Sequence, residues 1–299
     1  MTTPTNPAIY CLAGATATGK SALVQALAER TGAIILSADA MLVYEGMNIG
    51  TAKPTPAERA GVPYFGLDCV TPAQPFSVAD WLPHAQAAQA QAAQSGRPLF
   101  VTGGTGLYFT ALLRGLDPTP PRNPALTAEL EALPLPALQA RLAAHHVTLP
   151  DLSNPRRIIR ALEILESGAP LPTSWLTTQK PPLLALTWER PHLHERIAQR
   201  VDHMFAQGLL AETERLLARY PTWSRTAAQA IGYAEAIACL EGRLTHEQAR
   251  EQIIIRTRQL ARRQETYLRH QFAISWLTCT PTTPTSTLLT HLRHLWHLA

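Results

Sequence analysis

The sequence is poor in charged and aromatic side chains and has no long apolar run. Of its 299 residues, 16% are charged and 6% are aromatic, whereas 46% are hydrophobic, a fraction that excludes disorder over the whole length. No stretch approaches the roughly 18 uninterrupted apolar residues that a bilayer span requires. The start, MTTPTNPAIY, lacks the basic and apolar regions of a secretory signal. We therefore expect a cytoplasmic protein with no membrane span.

Cysteine is also scarce, and its spacing indicates no metal site. The four cysteines lie far apart and form no CxxC pair: Cys11, Cys69, Cys239 and Cys279. Neither a zinc site nor a disulfide framework is indicated. We expect these thiols to lie in the core or on the surface.

Lysine is almost absent, because 23 of the 26 basic residues are arginines. Between Arg243 and His270, seven arginines accompany three glutamates, an excess of positive charge equal to the net charge of the whole chain, +4. Arginine forms bidentate hydrogen bonds with phosphates and stacks on bases, so this segment points towards nucleic acid. A solvated helix face could have the same composition, and charge alone does not separate the two interpretations.

Three apolar runs, each followed by a glycine-rich or acidic turn, predict strands of one sheet. The runs span 8–13, 33–36 and 98–101. Helical spacing follows the first run in SALVQALAER, and the Ala/Gln-rich stretch 80–95 precedes the third. Strands that alternate with helices form a parallel sheet, and ligands bind at the carboxyl ends of its strands. The predicted fold class is α/β, with all three turns facing one crevice.

A proline-rich stretch interrupts this alternation in the middle of the chain. DPTPPRNP occupies 117–124, and the sequence beyond it has helical pieces without convincing strands. We interpret residues 123–179 as a helical insertion, expected to bind RNA, and residues 1–122 and 180–299 as one catalytic core.

The part of the chain after the insertion is predicted to be largely helical. One further strand is expected at 183–187. From His192 onward, amphipathic helices are predicted up to a polar, threonine-rich tail near Thr278.

The first turn carries a specific phosphate-binding motif. GATATGKS fits the pattern GxxxxGK[ST] between a strand and a helix, where backbone N–H groups and the helix dipole bind phosphate oxygens. We therefore expect a P-loop NTPase-like parallel sheet with flanking helices. Lys20 would neutralise the phosphates, and the Ser21 hydroxyl would hold a magnesium ion that bridges them. The predicted phosphate-binding residues are Gly14, Ala15, Thr16, Ala17, Thr18, Gly19, Lys20 and Ser21.

A carboxylate after the second strand is a further candidate site residue. P-loop ATPases usually carry an acid at the end of a buried strand, but the strand at 99–101 is followed by TGGT. In a parallel sheet Asp39 would lie beside the P-loop, and its natural task there is to accept a proton from a second substrate. The alternative is that Asp39 caps the next helix, and the sequence leaves both interpretations open.

Six segments, in order, give the chain a family resemblance. They are GATATGKSAL, SADAMLVYEGMNIGTAKP, VTGGTGLYFTALLRGL, NPRRIIRALEI, QAIGYAE and TRQLARRQETYLR, and they run from Gly14 to Arg269. The chain resembles the bacterial tRNA dimethylallyltransferases. The resemblance implies transfer of a dimethylallyl group from dimethylallyl diphosphate to N6 of adenosine 37, in the anticodon stem-loop of tRNA, with release of pyrophosphate. It also implies a requirement for Mg²⁺, and we expect a monomer.

The resemblance also implies roles for individual residues. The loop with Lys20 binds the diphosphate, Asp39 is the general base, and Thr105 helps to hold the target adenine. The chain has further residues at positions where the family contacts tRNA. Together with Asp39 and Thr105, these are Ala40, Met41, Leu42, Thr127, Arg156, Arg157, Arg160, Arg258, Arg262 and Arg263.

The arginines of the insertion have a second interpretation. Arg156 and Arg160 are four residues apart and share a helical face, which would meet phosphate while neighbouring apolar residues pack inward. The alternative is that these arginines form ion pairs with Glu163 and Glu166.

The chain departs from the family pattern at several of these positions. The family's DSxQ is Asp39-Ala40-Met41-Leu42 here, so the serine and the glutamine that touch RNA bases in the family are missing. Thr127 replaces a family arginine, and HPND is reduced to Leu152-Ser153-Asn154-Pro155. We expect either that other groups replace the lost contacts or that substrate selection is looser.

Two other functions could use the same features. A small-molecule P-loop kinase would use the loop and Asp39 to move a phosphoryl group onto a hydroxyl. An RNA-binding module would use the P-loop as a regulatory switch. Labelled dimethylallyl diphosphate and ATP, each incubated with tRNA and the protein, would separate the three functions.

Overall fold

Six parallel strands form one sheet in the larger of two compact units. The computed structural model describes residues 8–147, 149, 151–172 and 179–298, and the larger unit comprises the residues up to 113 and from 181 onward. Its described strands are β1 (Ile9–Gly14), β2 (Ile34–Ser37), β3 (Tyr64–Phe65), β4 (Leu99–Gly103), β5 (Pro182–Trp188) and β6 (Ala273–Cys279). Their order in the sheet is β3-β2-β4-β1-β5-β6, and every neighbouring pair is parallel. The predicted parallel α/β sheet is confirmed.

Helices connect the strands of the larger unit and make up most of the smaller one. In chain order they are α1 (Lys20–Thr31), α2 (Pro56–Arg59), α3 (Val78–Ser95), α4 (Gly106–Arg114), α5 (Pro124–Glu131), α6 (Leu135–Ala143), α7 (Pro155–Glu166), α8 (Arg190–Ala206), α9 (Leu209–Arg219), α10 (Arg225–Ala228), α11 (Tyr233–Leu240), α12 (His246–Gln271) and α13 (Thr285–Leu295). None of the described helices combines the length and the apolar character that a bilayer span needs.

The strands bury apolar side chains on both faces of the sheet. In β4, Leu99 and Val101 belong to one hydrophobic cluster, and Phe100 belongs to another. Successive side chains of a strand point to opposite faces, so a central strand covered on both faces is apolar throughout. Trp81 of α3 lies in the first cluster and Leu27 of α1 in the second, which places these helices on opposite faces of the sheet.

The carboxyl ends of β2 and β4 bring two loops into close contact. Backbone bonds join Ala38 N to Thr102 O at 2.8 Å and Thr105 N to Ala38 O at 3.0 Å. Gly103 is required here, because a Cβ atom at this position would lie 2.0 Å from the Ala38 carbonyl oxygen. Since β1 pairs with β4 in parallel, the P-loop begins at the same edge of the sheet.

The C-terminal part differs from the expectation of helices followed by a polar tail. β6 pairs with β5 along its whole length, from Pro182 opposite Ala273 to Trp188 opposite Cys279, and α13 follows it. β6 is an edge strand with several partly exposed side chains, so it lacks the continuous apolar run of a buried strand. Only Phe272 separates it from α12, and no turn sequence marks its start. The prediction was wrong for these reasons.

The smaller unit, residues 114–180, contains α5, α6 and α7 around its own apolar cluster. Leu130 of α5 and Ile158 of α7 are among the fully buried side chains of this cluster. α5 and α7 begin alike: the side chains of Asn123 and Asn154 accept hydrogen bonds from first-turn amides, and a proline follows. Asparagine at the N-cap followed by proline is a strong local signal for a helix start.

A methyl group at Gly103 is expected to destabilise the fold. In Gly103→Ala the Cβ atom would meet backbone atoms of Ala38 at 2.0 to 2.8 Å, and backbone cannot rotate away. We expect a loss near the upper end of the ~1–3 kcal/mol typical of overpacking. Gly96→Ala is the control, because its Cβ would meet open space and only its φ of +64° opposes the change, at about 1 kcal/mol. Denaturant unfolding measures both losses, and a loss no larger for Gly103→Ala than for Gly96→Ala would contradict this account.

Candidate active site

The P-loop folds over one of its own carbonyl groups. Thr18 Oγ1 donates a hydrogen bond to Ala15 O at 2.9 Å, and Lys20 Nζ donates to the same oxygen at 3.0 Å. The loop turns through positive φ at Ala17 (64°) and Gly19 (91°), a backbone course that directs N–H groups inward in phosphate-binding nests. α1 starts without a side-chain cap and without an acidic residue in its first turn. Its N-terminal amides are therefore suited to an anion.

Two arginines of α8 contact the P-loop, and neither was predicted from the sequence. Arg200 Nη1 donates to Thr16 Oγ1 at 3.0 Å, and Arg196 Nε donates to Ala17 O at 2.8 Å. Arg200 Nη2 also donates to Thr51 O at 3.0 Å. Their spacing of four residues, which puts both on one helical face, was the available signal. Nothing in the local sequence shows that this face meets a loop 184 residues earlier.

Trp188, at the end of β5, also holds the P-loop. Its indole Nε1 donates to Thr18 O at 3.0 Å. The Arg196 guanidinium lies over the Trp188 ring, 4.4 Å from the ring centroid, which is within cation–π range. One stacked pair of side chains thus fixes the carbonyl groups of Ala17 and Thr18.

Thr105 is oriented by the chain on both sides of Asp39. Its Oγ1 accepts a hydrogen bond from Ala40 N at 2.9 Å, and its backbone N donates to Ala38 O at 3.0 Å. Because the hydroxyl oxygen accepts the Ala40 amide, the hydroxyl hydrogen can be donated to a ligand. Thr105 and Asp39 therefore lie together at the carboxyl edge of the sheet.

Asp39 does not cap a helix. The next helix, α2, begins at Pro56 and is capped by Thr55, which excludes the alternative left open by the sequence. Asp39 Oδ1 accepts a hydrogen bond from Met41 N at 2.9 Å, which fixes the carboxylate. Its Oδ2 accepts no hydrogen bond from the described part of the chain, so this atom can accept a proton.

Lys20, Asp39 and Arg200 interact electrostatically. Only 8% of Lys20 is exposed. Burial lowers the pKa of Lys20 to about 8, the charge of Asp39 opposes this shift, and the charge of Arg200 adds to it. Burial also lowers the pKa of Arg200, again against the effect of Asp39. Two poorly solvated cations with one carboxylate are suited to a multiply charged anion.

Helix α12 packs directly against the P-loop and the loop after β4. Gln264 Oε1 accepts a hydrogen bond from Thr16 N at 2.9 Å. A Cβ atom at Gly104 would lie 2.2 Å from Gln264 Nε2, and one at Gly106 would lie 2.2 Å from the Tyr267 ring. Gly106, at the start of α4, leaves room for the Tyr267 ring, whereas a methyl group at Gly104 would have to displace the end of the flexible Gln264 side chain.

A buried glutamate and a buried tyrosine hold the backbone of residues 48–50. Glu212 of α9 accepts a hydrogen bond from Ile49 N at 2.9 Å. Tyr233 OH donates to Glu212 Oε1 at 2.6 Å and accepts from Gly50 N at 3.2 Å. Tyr233 belongs to the segment QAIGYAE, whose role the sequence left unassigned, and here it holds the chain that leads away from the end of β2.

The residues predicted to contact tRNA in the larger unit lie in two places. Ala40, Met41 and Leu42 are half-buried beside Asp39. On α12, Arg262 and Arg263 are exposed and Arg258 is half-buried. Arg262 also lines a pocket of about 480 Å³ together with Trp188, so it lies near the residues that hold the P-loop.

In the smaller unit, Arg160 and Thr127 have internal partners. Glu163, only 4% exposed, accepts hydrogen bonds from Thr127 Oγ1 and from Arg160 Nη1, the latter at 3.0 Å. Arg160 Nη2 donates to Pro120 O at 2.6 Å. The interpretation of Arg160 as an ion-pair partner of Glu163 thus agrees with the structure, whereas Arg156 is exposed. Contacts of all these residues with tRNA stay predictions.

Ser21, predicted to bind magnesium, is exposed at the start of α1. The described residues contain no group of three or more His, Cys, Asp or Glu side chains that could hold a metal ion. Mg²⁺ needs no such cage at a P-loop, because it keeps several waters and binds substrate phosphates together with a Ser or Thr hydroxyl. The exposed Ser21 hydroxyl fits this mode of binding.

Sequence comparison relates the chain to enzymes that modify tRNA. Residues 42–271 match the family model described as IPP transferase, and residues 7–66 match the one described as isopentenyl transferase. A tRNA dimethylallyltransferase of Anaeromyxobacter sp. (strain K) is 43% identical over 283 residues, which are 90% of this chain and 92% of the relative. One of Bordetella pertussis is 43% identical over 289 residues, with 88% and 90% of the chains covered.

Solved structures give the same relationship. The tRNA isopentenylpyrophosphate transferase of Bacillus halodurans superposes with a TM-score of 0.71 and 33% identity, over 96% of this chain and 95% of that one. The corresponding enzyme of Staphylococcus epidermidis gives a TM-score of 0.70 and 28% identity, over 97% and 99% of the chains. These enzymes have a P-loop NTPase-like fold, which confirms the predicted fold.

The lowered pKa of Lys20 predicts a pH dependence of anion binding. Lys20 attracts phosphate only when protonated, and its pKa of about 8 means that the free site loses this charge at higher pH. The contribution of Lys20 to pyrophosphate affinity should therefore fall by up to ~10-fold per pH unit above its pKa. Pyrophosphate also ionises in this range, so the measured quantity is the ratio of the affinities of the parent and Lys20→Met, by calorimetry. A ratio that stays constant as the pH rises would show that Lys20 keeps its charge.

Proposed function

The chain belongs to the IPP transferase family, and from this premise we propose that it transfers a dimethylallyl group from dimethylallyl diphosphate to an adenine of tRNA. The observation that carries the proposal is the position of Asp39 and Thr105 at the same sheet edge as a P-loop with two cations. One part of this site suits a diphosphate. The other suits an amine that must lose a proton.

The reaction breaks two bonds and forms two. The allylic C–O bond of dimethylallyl diphosphate breaks, and its electron pair leaves with pyrophosphate. N6 of the adenine forms a bond to the allylic carbon and gives one of its two protons to Asp39 Oδ2. Asp39 Oδ1 keeps its hydrogen bond from Met41 N. An exocyclic adenine amine is a poor nucleophile because its lone pair is delocalised into the ring. Proton removal by a positioned base typically contributes about 100- to 10,000-fold.

The charge that develops on pyrophosphate is stabilised by groups already in place. Lys20 is buried within the P-loop, and Arg200 is bonded to Thr16 of the same loop. Preorganised charges lower the barrier because they need no rearrangement during the reaction. Ser21 would hold the Mg²⁺ ion, which supplies further neutralisation of the diphosphate when bound.

We also propose adenosine 37 of the anticodon stem-loop as the target, and the cytoplasm as the place of reaction. A stacked base cannot present its amine, so the nucleotide must leave the stack and enter the site. The Thr105 hydroxyl can donate a hydrogen bond to a ring nitrogen of the adenine. Half-buried Met41 and Leu42 offer apolar surface to the base.

The proposal is tested by incubating the protein with unmodified tRNA and dimethylallyl diphosphate, followed by digestion and mass spectrometry. We expect prenylated adenosine and pyrophosphate in equal amounts, and fragment mapping then locates the modified adenosine. A parallel incubation contains ATP in place of dimethylallyl diphosphate. ATP-dependent phosphoryl transfer without any prenylated adenosine would replace the proposal with the kinase alternative.

Asp39→Asn should impair chemistry and spare RNA binding. The amide keeps the shape and an oxygen for the Met41 N–H, but it cannot accept the proton. We expect kcat to fall by about 100-fold or more, while tRNA affinity stays near that of the parent. Lys20→Met is the contrast, because it should raise KM for dimethylallyl diphosphate. A kcat for Asp39→Asn within about threefold of the parent value would contradict the assignment of Asp39 as the general base.

Arg262→Ala and Arg263→Ala should each flatten the salt dependence of tRNA binding. Both side chains are exposed on α12. A phosphate contact releases counterions, so its loss should reduce the slope of log affinity against log salt by roughly 0.7 to 0.9. Arg250→Ala on the same helix is the matched control, because Arg250 already pairs with Asp202 at 2.5 Å. Slopes equal to the parent in both folded variants would place the RNA-facing surface elsewhere.

A further inference from the structure

We infer that Gln264 is a positioning residue that joins the P-loop to the loop after β4, so that the diphosphate side and the adenine side of the site depend on one side chain. The inference rests on the proposed function, because that function defines the two sides. Gln264 lies on α12, next to Arg262 and Arg263, and its partner Thr16 lies 248 residues earlier in the chain.

The orientation of the Gln264 amide follows from its bond to the P-loop. Thr16 N can only donate a hydrogen bond, so the side-chain atom 2.9 Å away must be the oxygen Oε1. The nitrogen Nε2 then points to Gly104. Thr16 is also held through its Oγ1 by Arg200, at 3.0 Å. Two helices thus fix Thr16: α12 binds its backbone N–H, and α8 binds its side-chain hydroxyl.

Gly104 is where Gln264 meets the adenine side. A Cβ atom at Gly104 would lie 2.2 Å from Gln264 Nε2 and 3.1 Å from its Cδ, but 3.4 Å from Gly14 O, an ordinary contact. Gly104 does not have a positive φ. The backbone conformation at Gly104 therefore does not oppose a methyl group. Of the three nearest atoms, only those of Gln264 would be too close to it. Gly104 immediately precedes Thr105, so displacement of Gln264 affects both loops.

These contacts define a double-variant test in the prenylation assay. Gln264→Ala removes the side chain, Gly104→Ala pushes it away from Thr16, and the double variant does both. We expect each single variant to lower kcat/KM for dimethylallyl diphosphate and kcat/KM for tRNA, each by about tenfold or more, because both loops depend on the Gln264 side chain. The double variant should be no worse than Gln264→Ala, because the two atoms nearest to the added methyl group belong to Gln264 and Gln264→Ala removes both. Gln252→Ala, exposed on the same helix, is the matched control and should retain parental kinetics.

Gln264→Met separates the hydrogen bond from packing, because it keeps most of the side-chain volume and loses the acceptor. It should behave like Gln264→Ala in kcat/KM while its Tm stays near that of the parent. Parental kinetics in Gln264→Met or in Gly104→Ala would overturn the inference, as would independent, multiplying losses in the double variant. The parent in the same assay reports on the proposed function, so failure of that function would be seen separately as an inactive parent.

Discussion

Lys20 and Arg200 are cations held largely out of water around one short loop, and the surrounding elements are arranged to keep them there. Desolvation lowers the pKa of both groups, and the charge of Asp39 only partly opposes it. A protein tolerates such a cost where a ligand of opposite charge removes it, which is why strongly perturbed pKa values concentrate at functional sites. Desolvation of these two cations therefore both costs free energy and favours the binding of a multiply charged anion. Asp39 opposes the loss of charge on both cations, and in the proposed reaction it also accepts the proton of the nucleophile.

The P-loop alone could not hold this arrangement, and its support comes from distant parts of the chain. Arg196 and Trp188 fix two of its carbonyl groups, and Gln264 fixes one of its amides. The segment after β2 is held in the same way by Glu212 and Tyr233. These five side chains all follow the smaller unit in sequence, so elements after residue 181 support loops that are formed before residue 113.

The parts of the site that could be predicted from the sequence are those whose determinants are local or follow from strand order. The P-loop motif is contained in eight residues, and Asp39 follows from the rule that parallel strands share a carboxyl edge. The roles of Arg200 and Gln264 could not be predicted, because each depends on a contact with Thr16. That residue lies 184 positions before Arg200 and 248 before Gln264. Gly103, Gly104 and Gly106 look alike in sequence, yet they face backbone, an amide and an aromatic ring respectively. β6 was missed because an edge strand carries a weak apolar pattern, and the helix cap at Asp39 was excluded only when α2 was seen to begin at Pro56.

The long separation between Thr16 and its partners has a consequence for synthesis on the ribosome. β1, α1, β2 and β4 emerge first, because synthesis runs from the N-terminus. At that stage the P-loop has Lys20 but neither Arg200 nor Gln264, which are translated much later. Contacts between such distant residues form late, because closing a long chain segment costs entropy before the contact is made. The phosphate-binding loop is thus among the earliest parts of the molecule to be made and among the last to be completed.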